Sequence, residues 1–356
     1  MSEISALLPP SRLSEILRSS GALKSGEVIG VEPGAAISNR GLVSEVARLN
    51  VTYSPDATGD MPKALFMKAS REDTHPELRD AARHEAEFYR LAAQLSDLPI
   101  PRCYAAEANA GNGRSLLITE DLSDTHYSRA LPIPPSNQEC ELIIDALARL
   151  HARFWGDARL GVELGTKMTS DRARQQADRL IQTLPAFYDF LGDTLLPEQR
   201  RVYQGIVSSS FLRSSFDRHI RLAGVTLIHG DVHTGNIMLP RNPACDEVKL
   251  IDWQLWGVGV AALDLAFLMA LHWSTERRAA LERPLLERYH TALLSNGVVG
   301  YTWQECYDDY RRAVITMVLV PIGQFRRGLP SGVIWFGLQD ATAAFRDLRC
   351  AELLEA

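Results

Sequence analysis

Three oxygen-bearing side chains stand beside two short apolar runs in the second half of the sequence. Asp231 and Asn236 are separated by four residues, and Asp252 directly follows the apolar run 248–251. A turn at 240–243 separates that run from the one after Asn236, so we predict that the two runs pair as an antiparallel hairpin. The hairpin would place an amide oxygen beside a carboxylate, with Asp231 nearby. Hard oxygen ligands of this kind suit Mg²⁺ rather than zinc.

This set of groups matches what phosphoryl transfer requires from a protein. The reaction needs metal ligands near the phosphates, a carboxylate that accepts the hydroxyl proton, and a cation on the nucleotide. Asp231 and Asn236 have the D-x-x-x-x-N spacing of a kinase catalytic loop, and Asp252 follows after one hairpin. The spacing therefore favours an enzyme that transfers a phosphoryl group with the help of Mg²⁺.

Two other interpretations of the same residues remain open from the sequence. His229, Asp231 and His233 alternate, so a straight strand would place all three on one face, where they could bind zinc in a metallohydrolase. That interpretation leaves Asn236 and Asp252 unexplained, and two glycines within the segment favour a loop. The other alternative is a pseudokinase that binds nucleotide without turnover.

The elements that would position these residues change in type along the chain. Half-buried strands and one helix are predicted in the first third, followed by a mainly helical region that begins at Ser136, where Glu139 completes a capping box. The predicted elements are strands at 43–53, 64–69 and 116–119, helices at 76–95, 136–154, 171–190 and 197–219, strand character at 225–239 and 248–251, and helices from 263 onward. We therefore predict an α+β protein with a smaller lobe at 1–121 and a larger, mostly helical lobe at 122–356.

The composition excludes several classes of protein. A formal net charge of −6 argues against a general nucleic-acid binder, which would carry a basic face. The five cysteines are scattered and form no CxxC pair, which is typical of free thiols in a reducing compartment. The N-terminal residues lack the basic region and following apolar stretch of a signal peptide. The most apolar segment, 258–273, is too short to span a membrane. We expect a cytoplasmic protein without a nucleic-acid or membrane partner, and the sequence does not indicate an oligomeric state.

The motifs resemble those of the aminoglycoside phosphotransferase-like kinases, and within them the ecdysteroid-kinase-like or CHK-kinase-like branch. The resemblance is carried by His-Gly-Asp-x-His-x-x-Asn at 229–236, Ile-Asp-Trp-Gln at 251–254 and Asp-Leu-Ala-Phe at 264–267, with weaker support from Glu-x-x-Phe-Tyr at 85–89, Thr-Glu-Asp-Leu at 119–122 and Leu-His-Ala at 150–152. It implies a two-lobed, protein-kinase-like fold, ATP and Mg²⁺ as cofactors, and a hydroxylated small molecule as acceptor. The family's range of acceptors, from antibiotics to steroids and choline-like alcohols, leaves the acceptor open.

The resemblance also implies a role for each matching position. Asp231 resembles the catalytic base, and Asn236 and Asp252 resemble the Mg²⁺ ligands. Lys68 resembles the lysine on the α- and β-phosphates, with Glu85 as its helical partner. Only five lysines occur beside 33 arginines, which makes Lys68 more informative than an arginine would be.

The remaining implied positions support the nucleotide or the catalytic loop. The implied phosphate loop contains Ser38, Asn39 and Gly41, the implied adenine contact is the backbone at Glu120 to Leu122, and the supporting residues are His229, His233 and Asp264. Protein kinases carry HRD and DFG motifs, and this chain has neither, because Gly230 and Trp253-Gln254 stand at those places. Both departures match the small-molecule branch and argue against regulation through an activation loop.

Overall fold

The chain forms two compact units that do not follow a single division in sequence. The structure, a computed structural model, describes residues 8–35, 44–70, 76–92, 94–95, 97–108, 115–129, 134–167, 169–212 and 224–354. One unit consists of Met1–Ser128 with Met238–Leu255, and the other of Arg129–Ile237 with Trp256–Ala356. The predicted boundary at 121 therefore differs from the observed one. The reason is a strand at His126–Tyr127, which pairs with the strand at Ile237–Pro240 and brings the following residues into the first unit.

The helices and strands have the following bounds in chain order. They are α1 (Pro10–Ser19), β1 (Leu23–Ser25), β2 (Val28–Pro33), β3 (Ser44–Tyr53), β4 (Thr58–Gly59), β5 (Ala64–Ser70), α2 (Pro76–Ala92), β6 (Cys103–Ala108), β7 (Ser115–Glu120), β8 (His126–Tyr127), α3 (Asn137–Arg153), α4 (Ser170–Leu191), α5 (Pro197–Ser208), β9 (Val225–Ile228), β10 (Ile237–Pro240), β11 (Lys249–Leu250), β12 (Gly257–Val260), α6 (Ala262–Met269), α7 (Thr275–Ser295), α8 (Trp303–Arg326) and α9 (Ser331–Asp347).

The first unit is built on an antiparallel sheet with the strand order β2-β3-β5-β7-β6. The central strand β5 alternates between buried and half-buried residues, so Leu65 and Met67 point to one face and Lys68 to the other. On the first face, Leu65 and Met67 share a core with Leu13 and Leu17 of α1. Since Lys68 contacts α2, this alternation directs a lysine away from the core and toward that helix.

A smaller sheet in the order β11-β10-β8 follows. The two apolar runs predicted to pair are the hydrogen-bonded neighbours β10 and β11, so their pairing is confirmed. Asn236 directly precedes β10, and Asp252 follows β11 after one intervening residue.

The second unit is mainly helical, with β9 and β12 as an antiparallel pair. Its first helix begins with the predicted capping box, in which Ser136 accepts a hydrogen bond from the Glu139 N–H at 3.2 Å. The segment of strand character at 225–239 is interrupted in its middle by a positive φ at Gly230 and a 3₁₀ turn over 234–236, in agreement with the loop that its glycines favoured. These residues form a loop between β9 and β10.

The five cysteines are all free thiols, but their surroundings differ. Burial raises the pKa of Cys103, Cys306 and Cys350 to about 12. Cys140 is also buried, whereas Cys245 is exposed in the connection between β10 and β11. Within the part of the chain that the structure describes, no helix has an apolar stretch long enough to cross a membrane.

Candidate active site

A half-buried lysine lies between two carboxylates in the first unit. Lys68 Nζ is 2.7 Å from Glu85 Oε2 and 2.7 Å from Asp252 Oδ1. These residues come from β5, from α2 and from the segment after β11. Glu85 is buried, but the Asp252 side chain is 38% exposed, so this carboxylate is the most accessible member of the cluster.

The two carboxylates keep Lys68 charged. Burial alone would lower the pKa of Lys68, but the charges of Glu85 and Asp252 outweigh it and hold that pKa above its ordinary value. The ammonium group is therefore a fixed point charge at neutral pH, which is the form of lysine that binds phosphate groups.

Packing against α2 positions Asp252. The residue has a left-handed φ of +65°, which a non-glycine residue rarely adopts and which Asp and Asn tolerate best. The next residue, Trp253, is fully buried, and its ring stacks on Phe88 with the centroids 3.8 Å apart. His84 hydrogen-bonds the Gln254 carbonyl at 3.1 Å. One face of α2 thus carries Glu85 and also holds the turn that presents Asp252.

Replacing Lys68 by methionine should lower the free energy of unfolding by about 3–5 kcal/mol, because the buried carboxylate of Glu85 would lose its counter-charge. Urea unfolding would measure this loss. Lys63→Met is the matched control, since Lys63 is exposed and close by in the sequence. Adding Glu85→Gln to Lys68→Met should recover part of the stability. Equal stability of the Lys68 and Lys63 variants would contradict the prediction.

The loop between β9 and β10 arranges Asp231 and Asn236 in the second unit. Asn236 is buried, and its Nδ2 group donates to the Asp231 carbonyl at 3.0 Å and to Asp231 Oδ2 at 3.1 Å. Because both bonds use the amide nitrogen, Asn236 Oδ1 keeps its lone pairs for another ligand. A hard cation is the ligand that such an oxygen suits.

A buried aspartate supports this loop from α6. Asp264 is fully buried and accepts hydrogen bonds from the His229 and Gly230 N–H groups at 2.7 and 2.8 Å. His151 Nε2 donates to the same carboxylate at 3.1 Å, and the Tyr289 hydroxyl bonds the other ring nitrogen of His151 at 2.7 Å. Burial opposes ionisation, but the hydrogen bond from His151 and the charge effects of the neighbouring histidines hold the pKa of Asp264 below its ordinary value.

The zinc interpretation does not agree with this geometry. His229 is fully buried, and its Nδ1 accepts the Asp231 N–H at 3.3 Å. Across the described ranges, no three or more His, Cys, Asp or Glu side chains are grouped so that they could hold a metal ion. We therefore reject a zinc site formed by His229, Asp231 and His233.

A further histidine, His272, lies near the loop and was not predicted as a site residue. Its ring is 6.0 Å from that of His233 between centroids, and its Nδ1–H donates to the Phe267 carbonyl at 2.7 Å. Burial lowers the pKa of His272 to about 4. No sequence signal marks this residue, because its contact with His233 arises only from the fold.

This low pKa predicts a pH dependence of stability. Between pH 6.5 and about 4 the unfolded chain binds a proton at His272 that the folded chain does not. The free energy of unfolding should therefore fall by about 3 kcal/mol as the pH is lowered through this range. Urea unfolding at pH 7 and pH 5 would measure how the free energy of unfolding changes with pH. This change should be smaller in His272→Phe. Parallel slopes for the two proteins would contradict the prediction.

The implied nucleotide contacts are described only in part. Ser38, Asn39 and Gly41 lie outside the described residues. Glu120 ends β7, and the Leu122 carbonyl after it accepts hydrogen bonds from the N–H groups of Thr125 and His126 at 3.2 and 2.8 Å. An ion pair between Asp121 and Arg48 of β3 anchors this segment to the sheet.

Comparison with known proteins shows that the fold resembles that of several kinases. An uncharacterised kinase-like protein of Caenorhabditis elegans is 24% identical over 297 residues, which are 77% of this chain and 77% of that protein. Choline kinase of Cryptosporidium parvum superimposes with a TM-score of 0.55 at 10% identity, covering 91% of this chain and 89% of its own. The GDP complex of wild-type aminoglycoside 2'-phosphotransferase-IIIa gives 0.53 at 11% identity, covering 95% and 99%. The predicted kinase-like fold is confirmed.

A family model describes most of the same region. The model of the phosphotransferase enzyme family, APH, matches residues 56–303. The matched range contains Lys68, Glu85, Asp231, Asn236 and Asp252. The narrower ecdysteroid-kinase-like or CHK-kinase-like branch is not tested by these similarities and stays a prediction. Because the family model covers well over half of the 356 residues, the chain belongs to the phosphotransferase enzyme family.

Proposed function

We propose that the protein transfers the γ-phosphoryl group of ATP to a hydroxyl group of a small-molecule acceptor. The observation that carries this proposal is the charged Lys68 held between Glu85 and Asp252, in a chain of the phosphotransferase family. A lysine fixed in this way suits the α- and β-phosphates of a nucleotide. The exposed carboxylate beside it suits a divalent cation bound with those phosphates.

The residues would divide the reaction between them. Asp231 orients the acceptor hydroxyl and takes its proton as the oxygen attacks the γ-phosphorus, while the bond to the bridging oxygen breaks and ADP leaves. Asn236 Oδ1 and the Asp252 carboxylate are the proposed Mg²⁺ ligands. Bound Mg²⁺ would neutralise charge on the β- and γ-phosphate oxygens. Asp264 keeps the loop in place through the backbone of His229 and Gly230.

The nucleotide contacts are part of the same proposal. We assign the adenine edge to the backbone between Glu120 and Leu122, at the end of β7, and the phosphate loop to Ser38, Asn39 and Gly41. The first unit would then bind the nucleotide, and the second would supply the base and the acceptor pocket. The GDP bound to the structurally similar aminoglycoside phosphotransferase supports a nucleotide ligand for this fold.

The acceptor is proposed only as a class. The similar structures are named for choline and for aminoglycosides, which are different molecules. At identities this low, neither name assigns an acceptor to this chain. A panel of hydroxylated acceptors should therefore be tested for ATP consumption and for a phosphorylated product by mass spectrometry. Asp231→Asn serves as the negative control for ATP consumption that does not depend on the proposed base. Nucleotide binding without ATP consumption across the panel would instead support the pseudokinase alternative.

A further inference from the structure

Two polar contacts of His233 involve different ring nitrogens. Its Nδ1 accepts the Gly235 N–H at 3.0 Å and so caps the 3₁₀ turn over 234–236. With Nδ1 as the acceptor, the ring proton lies on Nε2. That nitrogen is 3.7 Å from Asp231 Oδ2, the same oxygen that accepts from Asn236 at 3.1 Å. The capping bond therefore fixes the tautomer whose proton lies on Nε2, the ring nitrogen nearer Asp231.

His272 supports the ring of His233. The hydrogen bond from His272 Nδ1–H to the Phe267 carbonyl ties this ring to α6, and the Phe267 ring packs on it with the centroids 4.9 Å apart. The same helix carries Asp264, which holds the backbone of the loop. Thus α6 supports the Asp231 loop at two places, directly through Asp264 and through the pair of histidine rings.

We propose that His233, supported by His272, is a positioning residue that holds the Asp231 carboxylate in the orientation needed to accept the acceptor proton. The inference rests on the proposed role of Asp231 as the base. A base gains efficiency when its carboxylate is held in the reactive geometry before the substrate arrives, and small misplacements reduce the rate strongly. The amide of Asn236 holds Oδ2 by a hydrogen bond at 3.1 Å, and His233 Nε2, 3.7 Å from the same oxygen and outside hydrogen-bond distance, adds an electrostatic attraction to it.

Two substitutions of His233 separate this role from capping alone. His233→Asn places an oxygen near the position of Nδ1 and so keeps the cap, but it has no group near Nε2. His233→Gln places an amide N–H group near Nε2. If His233 orients Asp231, the Asn variant should lose about 10- to 100-fold in kcat, with KM for ATP changed less than about twofold. The Gln variant should recover most of that loss.

His272→Phe tests the support from the second ring. Phenylalanine keeps the bulk of the ring but removes the bond to the Phe267 carbonyl, so we expect a loss in kcat of about three- to tenfold. An unchanged kcat would overturn the part assigned to His272.

The measurement is steady-state ADP release from MgATP, with water as the acceptor and then with the acceptor panel. MgADP affinity by calorimetry, within about twofold of wild type, checks that each variant is folded. If the wild type turns over ATP and His233→Asn has the same kcat, this inference is overturned, whereas the proposed function is not. Equal losses in the Asn and Gln variants also overturn it, because they indicate a purely structural role. A wild-type protein that turns over no ATP overturns the proposed function and this inference with it.

Discussion

Replacing Asp231 by asparagine is expected to reduce kcat for phosphoryl transfer by about 10²- to 10⁴-fold, the usual contribution of a positioned general base. The amide cannot take the proton of the acceptor hydroxyl at neutral pH. The loop should keep its shape, because the new Oδ1 can accept the Asn236 Nδ2–H as the carboxylate does. Affinity for MgADP should therefore change less than about twofold, which calorimetry would measure alongside turnover.

The control for this variant is Asp193→Asn, an exposed aspartate of the same unit. It should retain wild-type turnover and affinity. A near-normal kcat in Asp231→Asn would remove Asp231 as the base. A parallel loss of MgADP affinity would instead indicate that the substitution had disturbed the fold of the loop.

Replacing Asp252 by alanine should weaken binding of the Mg²⁺–nucleotide complex by roughly 100-fold, since metal sites lose about 10- to 100-fold even when a supporting residue is removed. The variant would lose a proposed metal ligand and also one of the two partners of Lys68. Calorimetry with ADP, with and without Mg²⁺, separates these effects. Removal of Mg²⁺ should weaken binding to the wild type much more than binding to the variant.

The left-handed backbone conformation of Asp252 makes a second variant necessary. Alanine in the left-handed conformation adds a strain of about 1–2 kcal/mol, whereas asparagine adopts it more readily. Asp252→Asn therefore tests the carboxylate with little change in backbone strain. A strong loss of Mg²⁺-dependent affinity in both variants supports the ligand assignment. Full Mg²⁺ dependence in Asp252→Asn would contradict it.

Local signals in the sequence predicted much of the framework. The half-buried strand at 64–69 and the capping box at Ser136 were predicted from short-range patterns, and the structure contains both. The ion pair between Lys68 and Glu85 was expected from the family resemblance, and it is present at 2.7 Å. Each of these features depends on residues a few positions apart or on motifs that keep their order along the chain.

Features that depend on the fold were not predictable in the same way. The glycines of the segment 225–239 favoured a loop, but hydropathy does not register the positive φ at Gly230 or the 3₁₀ turn over 234–236 that shape this loop. The strand β12 has the sequence Gly-Val-Gly-Val and forms only because β9 pairs with it. The contact between His233 and His272 likewise joins distant parts of the chain. Glycine-rich strands and tertiary ring contacts carry little periodic signal.

The differences among the five thiols allow a fluorescent probe of ligand binding to be attached at one cysteine. Thiol-directed reagents require the thiolate, so the high pKa values and burial of the other cysteines should leave Cys245 as the preferred point of attachment for a fluorophore. That probe would sit in the connection between β10 and β11, the strands flanked by Asn236 and Asp252. Its emission could report nucleotide and Mg²⁺ association in the native protein by rapid mixing, before the acceptor has been identified.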